Sequence, residues 1–252
     1  MNVMTAKPNL EIPLSLRAAT ELVNKRKGRE ADEHFDHLAQ AATKITKTAQ
    51  TVQSTVAKIL ANQLSLPIKR ASDARNAAHK IFMGVAPDLD KTRRAVESAV
   101  QGLEAATLPP APRNAVDAVL AAEIRTALSR MPPADRAAAV HQAINDGDDA
   151  FVGAATQGNV ALVGFGPAEQ AALRDAWRRK RHAATVERVT HLKEGLAEFN
   201  RLSSLLSGWS LGLLAKQDAA ITAAEESERQ AKAAQAGPKA PAEPTWQAED
   251  VT

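Results

Sequence analysis

The chain has 252 residues, enough for one or two domains. Aromatic residues are 3% of it and Tyr and Cys are absent, so strand-forming material is scarce, and disulfides, thiolate metal sites and a cysteine nucleophile are excluded. With Ala at roughly a fifth of positions the composition favours helix, and 32 Lys and Arg against 29 Asp and Glu leave a net +3, too little for the whole surface to act as a polyanion trap.

Residues 1–16 contain Pro8 and Pro13 and read as an extended arm. They hold no basic stretch followed by a long apolar run, so no secretory signal peptide is expected. A first basic cluster, Lys25, Arg26 and Lys27 with Arg29, follows. Residues 31–66 lack Gly and Pro, and their apolar positions fall at Phe35, Leu38, Ala42, Ile45, Ala49, Val52, Val56, Ile59 and Leu66. The alternating spacing of three and four is a heptad pattern, broken only at Gln63. It predicts a long helix within 17–67, a rod about 50 Å long, ended by Pro67. The flanking e and g positions, among them Ala39, Thr46, Gln53 and Thr48, are uncharged, which suits burial among several helices better than a simple dimer. Phe35, Leu38, Ile45, Val52, Val56, Ile59 and Leu66 are expected to form an oligomer interface with copies of the chain.

His34 and His37 lie three apart beside Glu30, Glu33 and Asp36, a spacing that could place two imidazoles and a carboxylate on a metal. Acidic residues in a first helical turn also complement the helix dipole and partner nearby histidines, and the expectation is that no metal or cofactor binds. Residues 68–145 read as short helices: 69–82, broken by Gly84 and Pro87, then 90–107, 113–130 and 133–145, punctuated by Pro109-Pro110 and Pro132-Pro133. Residues 146–167, with Gly147, Gly153, Gly158, Gly164 and Gly166 among Phe151, Val160, Leu162, Val163 and Phe165, read as a partly buried loop.

From 168 to 235 a helical pattern returns, with Trp177, Leu192, Phe199, Leu206, Trp209 and Leu213 as packing residues and Gly195, Gly208 and Gly212 as places to bend or break. Arg178, Arg179, Lys180 and Arg181 form a second basic cluster; with Lys25, Arg26 and Lys27 they are the candidate nucleic-acid contacts. No aromatic residues interleave with them, so a solvated helix face or pairing with acids of a neighbouring subunit is the preferred reading. The uncharged run 202–215 has 14 residues, short of the roughly 20 of a membrane span, and reads as the centre of a bundle before an interfacial membrane segment. Residues 236–252 form a low-complexity tail.

Catalytic signatures half-match. Gly208-Trp-Ser210-Leu-Gly212 fits a nucleophile elbow but has neither a strand before it nor a His after it. Gly153 and Gly158 fit a P-loop whose Lys and Ser or Thr are replaced by Asn159 and Val160. The fingerprint begun by Gly164 and Gly166 has Glu169 where a third glycine is needed. Asn145-Asp-Gly-Asp-Asp149 supplies too few carboxylates at calcium-loop spacing. No enzyme is expected.

Residues 141–205, where Ala-Ile-Asn-Asp-Gly-Asp-Asp is followed by an apolar Gly-containing loop and then Gly-Pro-Ala-Glu-Gln-Ala-Ala-Leu-Arg-Asp-Ala-Trp-Arg-Arg-Lys-Arg-His, resemble a pattern in helical proteins of tailed phages and prophages. The resemblance covers about a quarter of the chain and carries no catalytic residue. It implies a particle component such as a scaffold, connector, internal or ejected protein, in the virion or in the host cytoplasm during assembly, with copies of itself and other particle proteins as partners. The expected protein is all-α: a heptad-patterned helix and a helical bundle, with an extended arm and a flexible tail. The alternatives are a nucleic-acid-binding protein using the basic clusters and a membrane-active or ejected protein using residues 202–215.

Overall fold

The computed structural model describes residues 10–16 and 32–235, and these are all-α: eight helices follow residue 32, with no strand among the described residues. They are α1 (Glu33–Ala61), α2 (Pro67–Ala106), α3 (Ala115–Arg130), α4 (Pro133–Asp146), α5 (Asp149–Gln157), α6 (Val160–Val163), α7 (Pro167–Arg181) and α8 (Ala183–Gln235). Residues 1–9, which hold most of the expected arm, 17–31 and 236–252 lie outside the described residues.

Helix starts follow capping chemistry. Asp32 accepts the His34 N–H at 2.9 Å ahead of α1, Asn114 accepts the Asp117 N–H at 2.9 Å ahead of α3, and Asp148 accepts the Phe151 N–H at 2.9 Å ahead of α5. Pro67, Pro133 and Pro167 stand at first helical positions, where a missing N–H costs nothing.

The expected boundaries shift in four places. The first long helix stops at Ala61 rather than at Pro67, because Asn62 takes over: its Oδ1 accepts the Leu64 N–H at 3.1 Å and its N–H closes on the Ile59 carbonyl at 3.2 Å. The turn this makes leaves Leu64 99% and Leu66 74% exposed, so Leu66 leaves the buried stripe. Gly84 and Pro87 do not break α2. Both are exposed, as is Met83, whose carbonyl Pro87 leaves without its helical donor, while buried Phe82, Val85, Val96 and Val100 keep the helix in register.

The stretch 146–167 is not a loop but contains α5 and α6. Gly153 and Gly158 serve close packing, since a Cβ at Gly153 would strike the Pro110 carbonyl and one at Gly158 would lie 2.7 Å from the Arg125 side chain, while Gly147 ends α4 in the left-handed conformation with φ 79°. In the last helical region the break falls at His182, whose ring stands edge-on to Trp177 with centroids 5.1 Å apart, and α8 runs unbroken through Gly195, Gly208 and Gly212.

The chain divides into two compact units, and α1, α2 and α8 each give a segment to both. The first holds residues 10–16, 44–87 and 203–235 of the described chain. Ile45, Ala49, Val52 and Val56 of α1, Ala71, Ala74, Ala78 and Phe82 of α2, and Leu206 and Leu213 of α8 are among its buried residues. Phe82 meets Trp209 edge-on at 5.9 Å and Arg75 pairs with Asp218, so the α2 and α8 segments run antiparallel. Residues 10–13 lie outside any helix, 14–16 form a helical turn, and Ile12 and Leu16 are buried.

The second unit holds residues 32–43 and 88–202 of the described chain. Its core joins α3 to α7 through Leu128, Val140, Ile144, Val152, Val163, Phe165, Leu173 and Trp177. Phe35 and Leu38 of α1 are buried here too, Phe35 against the His191 ring at 5.7 Å.

Candidate functional site

The heptad stripe is already filled. Leu38, Ala42, Ile45, Ala49, Val52 and Val56 have no exposed surface in the single chain, Phe35 almost none, and Ile59 is half-buried. Ala39, Ala41 and Thr48 beside it are buried as well, which matches burial among several helices. The expectation that Phe35, Leu38, Ile45, Val52, Val56, Ile59 and Leu66 form the oligomer interface is therefore corrected for the first five, which the chain's own helices cover; Ile59 is only half-covered and a turn carries Leu66.

The second basic cluster is a clamp within its own unit. Arg181 donates to both oxygens of Asp149, at 3.0 and 2.8 Å, and to the Gly147 carbonyl at 3.2 Å. Trp177 donates its indole N–H to the same carboxylate at 2.9 Å. The Arg181 hydrogen bond holds the Asp149 carboxyl below the ordinary carboxylate range, the Trp177 donor and the charges of Arg181 and His182 add to it, and the same pairing raises Arg181. Arg178 donates to the Thr107 hydroxyl at 3.0 Å and Arg179 pairs with Asp175 at 2.7 Å, while Lys180 is exposed. Three of the four cations thus hold α7 to its neighbours or to itself. Lys25, Arg26 and Lys27 lie outside the described residues.

Other candidate chemistry resolves into structure. Asp148 caps α5 and Asp146 accepts from Gln142, so the calcium-like run serves helix ends. The Ser210 hydroxyl donates to the Ser207 carbonyl at 2.8 Å inside α8, far from any elbow geometry. His34 and His37 meet edge to face at 6.5 Å, and no group of three or more His, Asp or Glu among the described residues could hold a metal. The run 202–215 has one buried side, Leu202, Leu206, Ser210 and Leu213, and one exposed side that includes Leu211; Trp209, one of the expected packing residues, is half-buried in the single chain. No helix among the described residues is long and apolar enough to cross a membrane.

What remains open is a face of α3. Val116, Val119 and Leu120 are 76%, 60% and 47% exposed, and the helix buries only Ala121 and Leu128. Offsets of three and four put the three side chains on one side of the helix. The face is held in shape from its start. Asn114 caps the Asp117 N–H, and the Asp117 carboxylate reaches back to the Arg113 N–H at 3.0 Å. Sequence reasoning placed the helix but assigned it no face; the signal was Val116-x-x-Val119-Leu120 flanked by alanines.

No family model, curated protein or solved structure matches the chain.

Proposed function

We propose that the chain is a non-enzymatic, oligomeric structural or assembly component of a phage-like particle, acting in the virion or in the host cytoplasm while the particle is built. The observation that carries this reading is the apolar face of Val116, Val119 and Leu120, since an exposed stripe on a firmly capped helix offers the kind of surface that subunit contacts bury. The use of the ionisable side chains supports it. Arg181 with Asp149, Arg188 with Asp32, Lys193 with Glu104 and Arg75 with Asp218 each join separate helices or their caps, which suits a scaffold. The particle context rests on the resemblance of residues 141–205. Quantitative mass spectrometry of gradient-purified particles from the native host is the test. The chain is expected there in a fixed copy number, and recovery only in particle-free fractions overturns the reading.

A further inference from the structure

The exposed face of α3 is bordered by opposite charges. Arg113 stands immediately before the Asn114 cap, Glu123 lies one turn beyond Val119 and Leu120 on the same side of the helix, and both are exposed. At about 100° per residue, Val116, Val119, Leu120 and Glu123 fall within an arc of roughly 100°. The surface therefore reads, along the helix, as cation, three apolar side chains, anion.

Such an order is complementary to itself when reversed. We propose that α3 pairs with α3 of a second copy of this chain, antiparallel about a two-fold axis level with Ala118. This inference names the partner for the surface on which the assembly reading rests. In that arrangement Val116 faces Leu120 of the second copy and Arg113 faces Glu123, and the two-fold repeats each contact. A parallel pairing would set Arg113 beside Arg113 and Glu123 beside Glu123, so charge selects the antiparallel form. The helix dipoles then also oppose each other favourably. Ala115 and Ala122 border the face beside Val119 and are exposed, so nothing bulky on that flank keeps a second helix away.

The reciprocal bonds of Asn114 and Asp117 fix the first turn of α3 before any partner arrives, so little order has to be created on pairing. Three apolar side chains per copy make a contact well short of the roughly 1,200 Å² of a standard interface. The expected species is a reversible dimer that grows with concentration, strengthened where many copies are held together in a particle.

Sedimentation equilibrium of the full chain over a range from low micromolar to several hundred micromolar tests this. The wild type should shift from monomer to dimer, and Val119→Asp should stay monomeric with an unchanged helical circular dichroism signal. Arg113→Glu and Glu123→Arg should each weaken the dimer at least tenfold. An equimolar mixture of these two variants should regain it as a heterodimer, because each then supplies the charge the other lacks. A wild type that remains monomeric throughout, charge variants that dimerise as the wild type does, or a mixture that does not recover overturns the pairing. A monomeric chain that is still incorporated into particles overturns the pairing alone, and a dimeric chain absent from particles overturns the assembly reading alone.

Discussion

Arg181 forks onto Asp149 across 32 residues of sequence, Nε to Oδ1 at 3.0 Å and Nη2 to Oδ2 at 2.8 Å, and so ties the last turn of α7 to the first turn of α5. The same carboxylate takes the Trp177 indole N–H, which lets a buried aromatic ring satisfy its one polar atom at the edge of the core. An anion at the start of α5 also meets the positive end of that helix dipole. Charge, cap position and core packing converge on one side chain.

The hydrogen bond from Arg181 holds the Asp149 carboxyl below its ordinary value. A carboxyl whose pKa falls on folding adds stability that is complete above the unfolded value of about 3.9 and is lost as pH falls through the lower folded value. Asp149→Asn keeps an acceptor for Trp177 but removes the charge. Its melting temperature should lie below that of the wild type at pH 7, and the gap should close as pH drops below about 4. An equal gap at pH 7 and pH 3 would show that the charge is not what the clamp uses. Asp32 should behave in the same sense: burial pushes its carboxyl up, but the Arg188 hydrogen bond and charge and the backbone donors outweigh this and lower it.

Helical content, the Pro-punctuated helices read at 113–130 and 133–145 and found at Ala115–Arg130 and Pro133–Asp146, and the buried stripe of α1 were legible because each rests on local spacing. The stripe's partner was not. A heptad pattern reports that one side of a helix is buried and is silent on whether the covering helices are the same chain's. The length of α2 was hidden because Pro87 reads as a breaker unless its exposed position is known. Glycines misled for the same reason: Gly153 and Gly195 look like flexible points, whereas each admits a neighbour that a Cβ would strike. The partners of Arg181 and Arg178 were hidden because Asp149 and Thr107 are brought to them only by the fold, whereas Asp175 stands one helical turn from Arg179 in the sequence itself.

Arg136 is a buried cation whose guanidinium caps the end of α3, donating to the carbonyls of Leu128 and Met131 at 2.9 Å each and to that of Gly164, with the Phe165 ring 5.6 Å away. Arg136→Met fills the space but takes the side-chain donor from the Met131 and Gly164 carbonyls, while that of Leu128 keeps only the Met131 N–H at 3.1 Å, a loss of about 3 kcal/mol in urea unfolding. Arg136→Lys should recover only part of it, since an ammonium cannot fork across three acceptors held at these angles. A Met variant as stable as the wild type would mean that water replaces the guanidinium.

Three glycines within α8 should respond oppositely to alanine. In a helix interior the change ordinarily stabilises by about 1 kcal/mol, and at Gly208 and Gly212, where a Cβ meets nothing within 4 Å, that gain should appear. At Gly195 the new methyl would lie 2.9 Å from the Phe35 ring and 3.3 Å from Leu38, both fixed in a buried cluster. Overpacking there should outweigh the propensity and leave a net loss of about 1 kcal/mol. Thermal melts of the three variants should separate in sign, and a stabilised Gly195→Ala would show that Phe35 repacks freely.

The last prediction decides where the α1 stripe belongs. If Ile45 and Val52 faced other copies, Ile45→Asp with Val52→Asp would dissociate an oligomer and leave each chain folded. Both side chains instead have no exposed surface within the single chain, in the unit that also buries Ala74, Ala78, Phe82, Leu206 and Leu213. Two carboxylates in that core have no cation beside them among its buried residues, and each should cost at least about 4 kcal/mol, the size reserved for unpaired buried charge. That is comparable to the stability of a whole domain, about 5–15 kcal/mol. The double variant should therefore lose helical signal and expose the segments at 44–87 and 203–235 to protease, whatever its concentration. The second unit has its own core around Leu128, Val140, Phe165 and Trp177, so a protected fragment spanning α3 to α7 should survive. A double variant that keeps its full circular dichroism signal and merely changes its mass would return the stripe to an interface between copies.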